Sequence, residues 1–383
     1  MVDFVNLGKL YKDMDLSGLE NIVHKGQFVG GPALEEFEAN FAAYCGTKHA
    51  VGVGSGTDAL VLSLLALGVG PGDNVIVPAN TFIATAMAVT HTGARVVFAD
   101  VDLQTFNIDV ADADAKINKR TKAIIPVHLY GNPCDMRGIR KLAKKYRLSV
   151  VEDCAQATGA TYADQKVGSF GDAGCFSFYP TKNLGGLGQG GMITTDCDRL
   201  AEKVRVLGNV GRKTGSWYEY ERVGFNSRLD NVNAWFLNEN LKKLDEWNAL
   251  RRLTAERYVS LFENYRVLVR NYFPVRTQLQ NRGKNVFHLF VVCVPPYLRD
   301  RLTKYLNERG VNTGLHYPIP CHKQSIYEDE AQWLVNTEKL ADTILSLPMY
   351  PGITMDEVTR VFDCMVEFFQ GQYDGTNDEL YVD

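Results

Sequence analysis

Between His49 and Glu152 short apolar runs alternate with helical stretches, and this alternation restricts the fold more than any other feature of the chain. His49-Ala-Val-Gly-Val, Asn74 to Val77, Arg95 to Ala99, Ala123 to Val127 and Ser149 to Glu152 read as strands. Asp58 to Leu67, Ile83 to His91 and Met136 to Tyr146 read as amphipathic helices between them, and Pro32 to Tyr44 as a helix leading in. Strands that run the same way need a crossover of a dozen or more residues, which a helix supplies. The pattern predicts an α/β fold: a mostly parallel sheet with helices on both faces. Ligands of such sheets bind beyond the carboxyl ends of the strands. After Ser227 the pattern changes to long helices, Leu229 to Leu244 and Asn248 to Tyr265. A strand at Phe287 to Val294 and helices at Tyr297 to Arg309 and Met355 to Phe369 follow. A large domain over 1–245, including an N-terminal segment, and a smaller C-terminal α+β domain over 246–383 are expected.

With 383 residues, 45% of them hydrophobic, the chain can bury a substantial core. A net charge of -4 without a basic run argues against nucleic acid or an anionic membrane as partner. The longest apolar run, near Ala59 to Val69, is too short to span a bilayer, and the start lacks a basic region followed by an apolar stretch. A soluble cytoplasmic protein is expected. Eight cysteines are scattered singly with no Cys-x-x-Cys, against both a zinc cage and a disulfide framework; they are expected to be reduced and buried. The acidic tail, 374–383, reads as a frayed end.

The chemistry centres on Phe176-Ser-Phe-Tyr-Pro-Thr-Lys-Asn-Leu and the glycine-rich loop after it. Pro180 cannot donate to a ladder, so it ends the β-rich run Cys175 to Phe178 and leaves Lys182 on a turn. Five glycines between Gly185 and Gly191 let the backbone approach a bound group or adopt φ > 0. A lysine that is desolvated on such a turn loses pKa and can form a Schiff base with a carbonyl. A surface lysine on a loop is the plainer reading of the same residues.

Gly54-Ser-Gly-Thr-Asp-Ala-Leu follows a strand and opens a helix, which presents free N–H groups at the positive end of a helix dipole, a seat for phosphate. The same residues fit the G-x-G-x-x-A dinucleotide fingerprint, but the next strand ends Val77-Pro-Ala-Asn, without the acidic residue that a ribose requires. A second match, Gly186-Leu-Gly-Gln-Gly-Gly, leads into the strand-like Met192-Ile-Thr-Thr instead of a helix. A purely structural glycine turn stays open for the first. Asp153 ends the strand at the edge where Lys182 emerges, and a carboxylate there can keep a pyridine nitrogen protonated or simply cap a turn. Gln156 can donate to a phenolic oxygen or to a backbone carbonyl, Phe82 can stack on a planar ring or fill core, and Ser177 can add a hydroxyl to a phosphate.

Taken together, these residues resemble the sugar aminotransferases of fold-type I pyridoxal phosphate (PLP) enzymes, the DegT/DnrJ/EryC1 family. The likeness runs from about Val29 to Pro351 and includes Val77-Pro-Ala-Asn-Thr-Phe, Val127-His-Leu-Tyr-Gly, Glu152-Asp-Cys-Ala-Gln, Gly224-Phe-Asn-Ser-Arg-Leu-Asp and His316-Tyr-Pro-Ile-Pro. The resemblance implies an aspartate-aminotransferase-like fold, Lys182 as Schiff-base lysine, Asp153 as partner of the pyridinium, Gln156 at the phenolic oxygen and Phe82 over the ring. It implies Gly56, Thr57 and Ser177 around the phosphate, joined by Asn226 from a neighbouring subunit of a homodimer with shared active sites. Relatives that remove a hydroxyl carry histidine at the Lys182 position, so lysine favours transamination. Two departures are Gln189, where relatives have an acidic residue, and Cys154, where they have alanine.

The resemblance also implies a keto-sugar substrate with L-glutamate as donor, in amino-sugar biosynthesis for cell-surface polysaccharide. A nucleotide-linked 3-keto sugar is expected from the likeness of Ile76-Val-Pro-Ala-Asn-Thr-Phe-Ile-Ala-Thr and His316-Tyr-Pro-Ile-Pro-Cys-His-Lys-Gln to members that aminate C3. A 4-keto sugar, a keto-sugar acid without a nucleotide, and a non-catalytic regulatory relative are the alternatives. Tyr179, His316 and Tyr317 are candidates for the sugar hydroxyls, and Arg228 or Lys213 for a diphosphate. His316, Cys321 and His322 are not expected to hold a metal, since two prolines separate the histidines and no further ligand is near. His128 fits either pocket or core.

Overall fold

The computed structural model describes residues 1–269, 273–330 and 333–373; the acidic tail lies outside them. Seven strands form the main sheet: β1 His49–Val53, β2 Asn74–Pro78, β3 Arg95–Ala99, β4 Thr121–Ile124, β5 Ser149–Asp153, β6 Ala173–Ser177 and β7 Gly191–Thr195. Their spatial order is β1-β7-β6-β5-β4-β2-β3. β7 is antiparallel to both its neighbours, and the other pairs are parallel. The expected mostly parallel sheet is present.

Alternation along each strand sorts the core into two layers. Val75 and Val77 of β2, Val151 of β5 and Ala173 and Cys175 of β6 join one cluster, while Ile76 and Val150 point into another and Phe176 into a third. Each buried Val, Leu or Phe contributes about 1.5–3 kcal/mol relative to exposure. The helices differ from the amphipathic pattern expected. Gly56–Ala66 buries Ala59 to Leu64 without a break because Ala84–His91 and Asp198–Gly208 cover the side it turns away from the sheet. Met136–Tyr146 does show one apolar face, with Met136, Ile139, Leu142 and Ala143 buried.

The two long helices foreseen after Ser227 are Asn231–Leu241 and Leu244–Leu268, so the division expected at 245/246 falls in the first turn of the second. Arg276–Thr277, Phe290–Cys293 and Ile344–Leu347 make a three-stranded antiparallel sheet. One face packs with Tyr258, Phe262, Leu302 and Phe369. The other presents Leu289, Val291 and Cys293 to Val127, Leu129 and Tyr130, just past the carboxyl ends of the main strands. This brings the segment around His316 over that edge. Val2 bridges Val311 and joins the same core as the helix Met355–Tyr373, so the first residues pack with the C-terminal part and not on the main sheet. Seven cysteines are buried and free; Cys197 is exposed because it precedes the helix Asp198–Gly208 at the surface, against the expectation that all eight are buried.

Candidate active site

Asp153 is the last residue of β5, pinned by its N–H to Pro126 O (2.9 Å) and by its carbonyl, which accepts from His128 N (3.0 Å). Its carboxylate accepts from Ala155 N at 3.1 Å and from Thr85 Oγ1 at 2.8 Å, and Thr81 Oγ1 lies 2.9 Å behind Thr85. Burial raises its pKa above the ordinary carboxylate range, while the two donors and the nearby Lys182 ammonium pull it back.

β6 ends at Ser177, and the chain turns at Pro180 so that Lys182 N donates to Tyr179 O at 2.8 Å. The half-buried Lys182 amine is brought down to about 8 by desolvation, partly opposed by attraction to Asp153. That is the condition for an amine nucleophile near neutral pH. The glycines after it are constrained by the chain itself. Among Gly185, Gly186, Gly188, Gly190 and Gly191 only Gly188 has a positive φ. Gly185 and Gly186 are required by the chain itself, since a Cβ would stand 2.2 Å from Pro180 O and 2.4 Å from Asn233 Oδ1.

Gln156 is held by its own fold. Tyr130, at φ 61°, turns its N–H to Gln156 Oε1 (2.7 Å), which leaves Gln156 Nε2 donating to Tyr317 Oη at 3.0 Å. Tyr317 lies beside Phe82, ring centroids 5.8 Å apart, and Phe82 is 53% exposed, so it faces the cleft and is not core. His316 stacks on Phe4 and pairs Nδ1 with Ser346 Oγ at 2.9 Å. Burial, then the Lys182 charge, lowers its pKa to about 4, so it is neutral at pH 7.

Ser55 caps the helix Gly56–Ala66 through Asp58 N (3.1 Å), leaving the first-turn N–H groups of Gly56 and Thr57 without partners four residues back. Backbones crowd here: a Cβ on Gly56 would lie 2.7 Å from Ser177 Cβ, and one on Gly191 2.3 Å from Ser55 O. This cradle of N–H groups and hydroxyls at a helix N-terminus suits a phosphate. A phosphate cradle, a desolvated lysine and a buried carboxylate at one sheet edge fit PLP.

Arg228 and Asn226 bond to each other, Arg228 also to Asn209, on an exposed loop; among the described residues neither takes a partner around Lys182. Their neighbour Ser227 accepts from Gly54 N (2.9 Å) and donates to Asp58 (2.8 Å). Lys213 pairs with Glu219 at 2.9 Å, and Tyr179 stands half-exposed on the lysine turn. Gln189 is exposed. His128 is fully buried core: Nδ1 accepts from Cys134 N, so Nε2 donates to Glu152 at 3.0 Å. Glu152 also accepts from Gly168, Phe170 and Gly171 N–H, which satisfies both His128 and Glu152 although Cys154 lies close enough to complete a set of metal-ligand types. His316, Cys321 and His322 diverge to Ser346, Thr81 O and Glu338. Sequence reading missed Thr81, Thr85, Tyr130 and Ser227. Two threonines four apart where a strand hands over to a helix were the available signal for the first pair.

The sequence profile described as the DegT/DnrJ/EryC1/StrS aminotransferase family matches residues 11–366. Among curated proteins, the chain is 40% identical to the pleiotropic regulatory protein of Geobacillus stearothermophilus, covering 96% of this chain and 99% of the relative. It is 43% identical to the UDP-N-acetyl-3-dehydro-alpha-D-glucosamine 3-aminotransferase of Acidithiobacillus ferrooxidans, covering 91% and 92%. It is 40% identical to the dTDP-3-amino-3,4,6-trideoxy-alpha-D-glucose transaminase of Streptomyces venezuelae, covering 96% of each. Among solved structures, S. venezuelae DesV in complex with a ketimine intermediate superposes with a TM-score of 0.90 at 40% identity, covering 96% of this chain and 98% of that one. Bacillus subtilis NtdA with bound cofactor PMP gives 0.89 at 34%, covering 96% and 85%.

Proposed function

Since this chain belongs to the DegT/DnrJ/EryC1/StrS aminotransferase family and is a PLP-dependent sugar aminotransferase, we propose that its acceptor is a nucleotide-linked 3-keto sugar and its amino donor L-glutamate. The observation that carries the chemistry is the Lys182 amine, lowered to about 8 at the sheet edge where Asp153 is buried. In this reading Lys182 would hold the cofactor, with Asp153 for its ring nitrogen, Gln156 for its phenolic oxygen and Phe82 against its ring. Gly56, Thr57 and Ser177 hold the phosphate, with Asn226 from a second copy. The bound cofactor supplies an electron sink. Lys182 Nζ would take the proton from the donor Cα as general base and give it up as general acid, since an amine near 8 can do both around neutral pH. Neutral His316, Tyr317 and Tyr179 offer hydrogen bonds to sugar hydroxyls, and Arg228 or Lys213 of the second copy charge for a diphosphate.

Two relatives whose names carry a 3-amino or 3-dehydro sugar support C3 as the aminated carbon. One relative is named for regulation, but Lys182, Asp153 and Gln156 together favour catalysis here. No helix of the described residues is long and apolar enough to cross a membrane. The proposed working unit is a cytoplasmic homodimer whose product goes to cell-surface polysaccharide. The test is an assay of 3-keto and 4-keto nucleotide sugars beside a keto-sugar acid, with glutamate as donor and 2-oxoglutarate as readout. Turnover of the 3-keto nucleotide sugar is expected; turnover of only one of the others overturns the substrate while leaving the transaminase in place.

A further inference from the structure

The carboxylate of Asp153 is 6% exposed and has two donors, the Ala155 N–H and, at the shorter distance, the hydroxyl of Thr85. Thr85 is 1% exposed and belongs to the first turn of the helix Ala84–His91. A helical threonine ordinarily turns its hydroxyl back to the carbonyl three or four residues earlier. Thr90 and Thr92 do so, to Ala86 O and Val89 O. Thr85 does not. The carbonyl four residues back is that of Thr81, which accepts from Cys321 Sγ at 3.3 Å. Thr81 instead offers its own hydroxyl to Thr85 at 2.9 Å.

The direction of this chain follows from charge. An ionised carboxylate only accepts, so Thr85 gives its single proton to Asp153 Oδ2, and its oxygen must then accept from Thr81. Two hydroxyls in series, both buried, polarise one another toward the carboxylate. A protonated Asp153 would reverse this chain, Thr85 accepting from Oδ2 and donating to Thr81, and would lose the charge that strengthens both of its accepted bonds. Burial pushes the carboxyl toward its neutral form, and the donors oppose that.

We propose that Thr85, backed by Thr81, is a positioning residue that keeps Asp153 ionised and aimed at the ring nitrogen of the cofactor. The inference rests on the PLP reading above. It differs from a merely structural role in one respect: Thr85 should matter only for a ring that carries a protonatable nitrogen.

Apo-protein is titrated with PLP and with its 1-deaza analogue, in which carbon replaces the ring nitrogen, in wild type, Thr85→Val, Thr85→Ala and Thr85→Ser. Wild type should prefer PLP over the analogue. Thr85→Val, which keeps the shape and loses the donor, should shrink that preference by about tenfold or more, as for loss of a hydrogen bond to a charged group. Thr85→Ala should do the same if the valine variant folds poorly, and Thr85→Ser should retain the preference. An unchanged preference in the donorless variants overturns the inference while PLP still binds Lys182. Equal affinity of wild type for the two compounds instead overturns the role of Asp153, and this inference with it.

Discussion

The backbone N–H of Tyr130 donates to Gln156 Oε1 at 2.7 Å, and this decides which end of the amide faces Tyr317. Gln156→Glu keeps an acceptor for Tyr130 but turns a negative oxygen to the cleft. It should fold normally and lose cofactor affinity and turnover, by about tenfold or more each. Gln156→Leu leaves the buried Tyr130 N–H unpaired and should also lose about 1–3 kcal/mol of stability. Thermal unfolding separates the two; a normal Tm for the leucine variant would show that the contact holds nothing in place.

Lys182 should capture PLP at lower pH than an ordinary lysine. The neutral amine is the reactive form, and its fraction rises with pH through about 8 rather than through the usual 10.5. The rate of capture by apo-protein should therefore climb between pH 7 and 9 and then level off. Borohydride reduction should place the pyridoxyl group on Lys182 and leave a Lys182→Ala variant unlabelled. A rate still climbing at pH 10, or a label on another lysine, would remove Lys182 from its role.

Among the described residues, Arg228 bonds to Asn226 and Asn209 and neither Asn226 nor Arg228 has a partner around Lys182, as expected if they serve a second copy. Mixing an Asn226→Ala chain with a Lys182→Ala chain should restore part of the activity, because one of the two sites in a mixed dimer has both residues intact. No recovery despite proven subunit exchange would count against a shared site.

Glu152 should matter for folding and not for metal. Glu152→Ala strands His128 Nε2–H and the backbone N–H groups of Gly168, Phe170 and Gly171, with an expected loss of about 1–3 kcal/mol for each buried donor left unpaired. Zinc or a chelator should leave the wild-type Tm unchanged. A Tm that rises with zinc would make His128, Glu152 and Cys154 a metal site.

Much of this site was legible in the residues because it is built where the chain changes direction. Pro180 stops β6, so Lys182 had to lie on a turn. Asp153 ends an apolar run, so it had to lie at the edge of a parallel sheet. Ser55 precedes a helix as a capping residue does. The glycines after Lys182 also let strands and turns touch, since a Cβ there would strike Pro180, Asn233 or Ser55, and that packing was not legible from their spacing. His128 could not be assigned because its partner Glu152 lies 24 positions away, and only the pairing of their chain segments brings them to 3.0 Å.

The sequence by itself determined the parallel sheet, the edge at which the chemistry sits and the residue types that carry it, because strand period, helix capping and proline geometry act over a few neighbouring residues. Only the tertiary structure decided their state. The Lys182 amine is lowered by atoms packed around it from distant segments, Asp153 meets Thr85 across 68 positions, and the cleft gains His316 and Tyr317 because the small sheet docks on Val127, Leu129 and Tyr130. Desolvation and hydrogen bonding depend on what surrounds a group in space, and sequence distance does not fix that.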